Sequence, residues 1–187
     1  MSNATIFEPQ SEPQPDPTPA PRRRLWLSLL ALALAGAIAV LAYFSVSNAQ
    51  PAPELSFKTI TGEVIPAQAL RGKVFMVNFW ATSCTTCIHE MPQMVETYKK
   101  YSPQGLEFIA VAMSYDAPNY VLNFTQTRQL PFKVVLDLSG EIAHAYGDVK
   151  LTPTTYVVGR DGKVIKRYVG EPEFNALHDL LEKALKS

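Results

Sequence analysis

Two cysteines three residues apart, Cys84 and Cys87, stand between a nearly continuous apolar run, Val74–Trp80, and a stretch of helical period. The run is built from strand-forming residues, and its lack of polar alternation fits a strand covered on both faces, as in a parallel sheet. Beyond the cysteines, Cys87, Met91, Met94, Val95 and Tyr98 recur at i, i+4, i+7, i+8 and i+11, which predicts an amphipathic helix. A second strand-like run, Leu106–Met113, completes a βαβ unit. The cysteine pair therefore sits in the tight turn where a buried strand hands over to a helix.

The flanking segments fill out the fold. Leu55–Lys58 and Val64-Ile65 around Thr61-Gly62 predict a short hairpin. Helical character around Tyr120–Thr127 is followed by a strand at Phe132–Leu136, then a short helix carrying Ile142, Ala143 and Tyr146 and ending at Gly147. Thr155–Val158 and Val164–Val169 flank Arg160-Asp161-Gly162-Lys163, a strong hairpin signal. The last segment, Glu173–Lys186, places Phe174, Leu177, Leu180, Leu181 and Ala184 on one face, with acids first and lysines last as the helix dipole prefers. A βαβ unit followed by a ββα unit is a thioredoxin-like order. The predicted class is α/β, a thioredoxin-like fold with an N-terminal hairpin extension and a central βαβ insertion.

The region before this domain divides in two. Residues 1–24 carry 6 of the 15 prolines among Gln, Glu, Ser and Thr, with no apolar periodicity, and predict an extended tail without packed structure. Arg22-Arg23-Arg24 then precedes Leu25–Val46, 22 residues without a charge. As a helix that span is about 33 Å long, against about 30 Å of bilayer core. Trp26, Tyr43 and Phe44 suit the two interfaces. The arginines hold the N-terminus in the cytoplasm, so the predicted organisation is a cytoplasmic tail (1–24), a single transmembrane anchor in the cytoplasmic membrane (25–46), a linker (47–54) and an exported, periplasmic or extracytoplasmic domain (55–187). The rival is a cleaved signal peptide, with small residues at Ser47-Asn48-Ala49 for cleavage. Its apolar core and leading region are both longer than such peptides usually have.

Lys plus Arg and Asp plus Glu both number 17, and the domain is balanced at 14 each, so nothing electrostatic points to a nucleic-acid partner. Chemistry rests on the cysteines. At a helix start, unpaired amides and the positive dipole end favour an anion, so a thiol there ionises more easily, and the thiolate is the attacking species in disulfide exchange. Cys84, nearer the helix start, is the expected nucleophile, and Cys87, one turn further on, the expected resolving thiol. A purely structural staple across so small a ring removes little unfolded-state entropy. Zinc would need two further ligands, and His89, His144 and His178 are scattered. Covalent haem attachment is rejected because Ile88, not histidine, follows Cys87. No metal and no cofactor beyond the Cys84–Cys87 disulfide are expected.

The segment resembles the membrane-anchored thioredoxin-like disulfide oxidoreductases of the TlpA/ResA type. The shared residues are Val77–Thr82, the cysteine pair, Glu90-Met91-Pro92, Tyr146-Gly147, Thr152-Pro153-Thr154-Thr155, Arg160-Asp161-Gly162, Val164 and Gly170. The resemblance implies an exported reductase of protein disulfides, often serving cytochrome c or copper-oxidase assembly and re-reduced by a membrane electron-donor protein. It implies a cis Thr152–Pro153 bond facing the cysteines, with the Thr152 backbone open to an extended substrate. It also implies that Glu90 is a partly buried acid handling protons for the thiols; Asn78 occupies the position where thioredoxin itself carries a buried aspartate. Trp80 is expected to shield the cysteine turn, and Met91 and Met94 to belong to the core. The chain departs from the commoner pattern at Ser83, where tryptophan is frequent, and at Thr85-Thr86, where proline is usual second; these threonine hydroxyls are expected to donate to the Cys84 thiolate. Two other readings are a copper(I) metallochaperone holding the ion on both thiolates and an inactive thioredoxin-like binding module.

Overall fold

A computed structural model describes residues 21–47 and 50–186, with the backbone alone described over 21–25 and 42–47. The chain divides into two compact units, 1–48 and 49–187. In the first, helix α1 runs Pro21–Ser47. The helix begins four residues before the expected anchor, so residues 21–24 are helical. Proline is well suited to a first helical position, where its missing N–H has no intrahelical acceptor in any case. Residues 1–20 of the expected tail lie outside the described residues. Among the described residues, no helix is long and apolar enough to cross a membrane. The part of α1 with described side chains, residues 26–41, is shorter than the roughly 20 residues a bilayer requires.

The second unit is built on a five-stranded sheet. Its elements are β1 (Phe57–Lys58), β2 (Val64–Ile65), β3 (Val74–Trp80), α2 (Thr85–Tyr101), β4 (Leu106–Ala112), α3 (Pro118–Thr127), β5 (Lys133–Leu136), α4 (Glu141–Ala145), β6 (Thr154–Val158), β7 (Val164–Val169) and α5 (Phe174–Lys186). The sheet order is β5-β4-β3-β6-β7. β3 is parallel to β4, and β4 to β5, whereas β6 is antiparallel to both β3 and β7. This is the thioredoxin-like order read from the sequence. The central insertion adds one strand to it, because the β4–α3–β5 crossover shares β4 with the first βαβ unit.

β3 is buried along its whole length, which explains its nearly continuous apolar sequence, interrupted only by Asn78. Successive side chains alternate across the sheet. Val74, Met76 and Trp80 face one core, with Met91 and Met94 of α2 and Leu177 and Leu181 of α5. Phe75, Val77 and Phe79 face the other, formed with Phe57 and Ile65 of the expected β1–β2 hairpin and with Ala143 and Tyr146 at α4. Residues 50–53, expected as linker, are partly tied down: the Ala52 amide donates to the Gly162 carbonyl, and the Val164 amide to that of Gln50. Gly162, in the turn between β6 and β7, has a φ of 75°, a conformation open to glycine at little cost.

At the carboxyl end of β3 three loops meet. The Cys84 turn leaves Trp80, the loop after β4 starts at Met113, whose amide donates to the Trp80 carbonyl, and β6 enters opposite Phe79 through Thr154. Ligand sites in open α/β sheets gather at this end of the strands.

Candidate active site

Cys84 is the N-cap of α2, in extended conformation, and the Cys87 amide donates to its Sγ at 3.1 Å. The two cysteines form a disulfide with their Cα atoms 5.2 Å apart. Cys84 is half-buried and Cys87 completely buried, so the sulfur a substrate reaches is that of Cys84. The donor on that sulfur is a backbone amide of the first turn. Thr85 and Thr86 are exposed, and among the described residues neither hydroxyl bonds the disulfide-linked sulfur; the expected donation concerns the thiolate of the reduced protein.

The turn is braced from the loop after β4. Asp116, buried, accepts from the Thr82 amide and the Thr82 hydroxyl, both at 2.6 Å. Tyr115 beside it is 59% exposed, and its hydroxyl lies 3.1 Å from that of Thr152. An open groove runs from Ser83 along α3, walled by Tyr115, Tyr120, Phe124 and Arg128. Sequence reasoning missed this wall. Asp-Ala-Pro reads locally as the start of a helix, but the carboxylate turns away to Thr82 and Ala117 takes the cap position.

The Thr152–Pro153 bond is cis, and Pro153 is buried with Thr152 half-exposed at the entry to β6. The Gly170 amide donates to the Pro153 carbonyl at 2.8 Å, which anchors this loop to the end of β7.

One turn along α2 from Cys87 lies a buried polar cluster. Glu90, one turn beyond Cys87, is completely buried, and its Oε1 accepts from Asn78 Nδ2 at 3.0 Å. Asn78 also donates to the hydroxyl of Thr155, its register partner on β6, at 2.9 Å. Glu90 Oε2 and Asn78 Oδ1 have no hydrogen-bond partner among the described residues. Burial pushes the Glu90 carboxyl up to about 8; the Asn78 bond opposes that rise and the charge of Glu171 adds to it. An acid with that affinity carries its proton at neutral pH and exchanges it in the range where thiols titrate. Trp80 is completely buried against Phe124, ring centroids 5.3 Å apart, in the same core as Cys87. His89, on the outer face of α2, pairs with Glu171.

Residues 47–181 match the model of the Redoxin family. The chain belongs to the Redoxin family. Over 132 residues this family member is 37% identical to the thiol-disulfide oxidoreductase ResA of Bacillus thuringiensis subsp. konkukian, covering 71% of this chain and 75% of that protein. With ResA of Bacillus subtilis it shares 34% over 137 residues, 73% of this chain and 75% of the relative. Among solved structures, a thioredoxin-family thiol:disulfide interchange protein from Chlorobium tepidum superposes with a TM-score of 0.67 at 28% identity, over 74% of this chain and 97% of that one. The Redoxin domain described here is a thiol-disulfide oxidoreductase.

Proposed function

We propose that the chain reduces disulfides of exported proteins, with Cys84 as nucleophile and Cys87 as resolving thiol. One observation carries this reading: a half-exposed cap cysteine shares a small disulfide with a buried partner, one helical turn before a buried acid. Reduced Cys84 attacks one sulfur of a substrate disulfide, forming a mixed disulfide and releasing the other substrate sulfur as thiolate. Cys87, its proton taken by ionised Glu90, attacks Cys84 Sγ and expels the second substrate thiolate. The substrate gains two electrons, and the Cys84–Cys87 disulfide re-forms. The Thr152 backbone beside Pro153 pairs with the extended substrate, as in strand addition. Trp80 shields the disulfide from below, and Thr85 and Thr86 border it on the solvent side.

The uncharged run 25–46 supports a single-pass anchor, with residues 1–24 in the cytoplasm, 47–54 as linker and the domain 55–187 outside. The anchor concentrates the domain near exported chains, including those of cytochrome c or copper-oxidase assembly, and near the membrane donor that returns the two electrons. Membranes from cells producing the full chain test the whole reading. After an alkaline wash they retain the protein, and it reduces insulin disulfides with a potential nearer the about −270 mV of thioredoxin than the about −120 mV of a strong dithiol oxidant. Loss of the protein to the wash removes the anchor. One copper(I) bound per reduced chain without disulfide reduction replaces the reductase by a metallochaperone.

A further inference from the structure

One hydrogen bond links two elements that disulfide exchange needs in register. His89 lies on α2 immediately before Glu90, and its Nδ1 is 3.0 Å from Glu171 Oε2. Glu171 follows Gly170, the residue whose amide holds the Pro153 carbonyl, and Val169 before it is paired with Thr154. A continuous set of contacts thus runs from the redox helix, through His89 and Glu171, to the backbone behind the cis-proline. The two residues are 82 positions apart, so the pair is not local support for a helix surface. Stability does not explain it either, since the His89 side chain is 71% exposed and pairs this open add little. The Glu171 side chain is more sheltered, at 28%.

We propose that Glu171 is a positioning residue for disulfide exchange: clamped by His89, it seats the cis-proline loop against the redox helix and holds a negative charge beside the buried Glu90. The groups acting on Glu90 are Asn78 from β3 by a hydrogen bond, Thr155 from β6 through Asn78, and Glu171 from the segment after β7 by its charge, while His89, the chain neighbour of Glu90, holds Glu171. Of these, Glu171 is the charged group that acts on Glu90 through space, and it favours the protonated acid, as burial does. Replacing it by a neutral residue therefore makes Glu90 ionise more readily. The proposal rests on the reading of Glu90 as the proton carrier.

Single-turnover reduction of a disulfide-bonded peptide by the reduced full chain, followed from pH 5 to 10, tests it. The limb that belongs to Glu90 is the one lost in Glu90→Gln. In Glu171→Gln this limb moves to lower pH and KM for the peptide rises several-fold. His89→Ala raises KM similarly but does not lower the limb, because the carboxylate charge is still there. His89→Lys, which keeps a hydrogen-bond donor within reach of Glu171, restores KM. Those opposed responses are not what loosened packing alone produces. A limb unmoved in Glu171→Gln, where Glu90→Gln abolishes it, overturns the charge role while sparing the proton-carrier reading. An unchanged KM in both Glu171→Gln and His89→Ala overturns the clamp. If the limb survives in Glu90→Gln, the proton-carrier reading fails, and the charge role with it.

Discussion

Replacing the two cysteines by serine one at a time gives opposite outcomes. In Cys84→Ser, turnover of a disulfide substrate falls to the uncatalysed background, because the remaining thiol at Cys87 is completely buried and cannot meet a substrate sulfur. In Cys87→Ser the first attack survives, since Cys84 is half-buried and still receives the amide of residue 87 at the helix start. The mixed disulfide then has no internal thiol to resolve it, so it accumulates towards one substrate per chain and is released by added dithiol. Non-reducing electrophoresis reads both results. The asymmetry comes from position: the cap residue borrows the unpaired donors of the first turn, and the residue three places on lies beneath it in the core. Covalent substrate on Cys87 in Cys84→Ser would reverse the assignment.

Glu90→Gln slows exchange and stabilises the fold, two effects of opposite sign from one substitution. Removing the carboxylate removes the base for Cys87, and the single-turnover rate at neutral pH drops by about 10²-fold, the lower end of what general acid–base catalysis supplies. The stability effect follows from linkage. The folded carboxyl titrates near 8, against 4.5 in an ordinary setting. Below the lower value both the folded and the unfolded chain hold the proton, and burial carries no ionisation penalty. Between the two values the unfolded chain releases a proton that the folded chain keeps, so stability falls with rising pH by up to about 1.4 kcal/mol per unit, approaching 5 kcal/mol at most. Glutamine titrates in neither state. Urea unfolding of the oxidised proteins should therefore find the variant close to the parent at pH 4 and more stable by a few kcal/mol at pH 8. Equal midpoints at pH 8 would mean that the folded carboxyl is not held neutral.

What could be read from the chain, and what could not, follows how local the governing physics is. Val74–Trp80 was legible as a covered strand because burial on both faces leaves it without polar alternation, Asn78 being its one polar residue. The helix after it was legible because its core residues repeat at helical spacing, and Met91 and Met94 do lie in the core. Thr152-Pro153 and Glu90 were legible only through resemblance: composition says nothing of a cis bond, and a glutamate one turn past a cysteine looks like any helix acid until Asn78 and the sheet close over it. Asp116 and Glu171 were missed because each acts across the fold, on Thr82 34 residues away and on His89 82 residues away.

The account turns on Cys84 being an activated thiol at a helix start. The most direct measurement is the pH dependence of alkylation of the reduced protein by iodoacetamide, with the modified residue identified by peptide mapping. The predicted result is rapid, selective alkylation of Cys84 with an apparent pKa clearly below the about 8.5 of free cysteine. Alkylation of Cys84 at the rate and pKa of a free thiol, or preferential modification of Cys87, would contradict it.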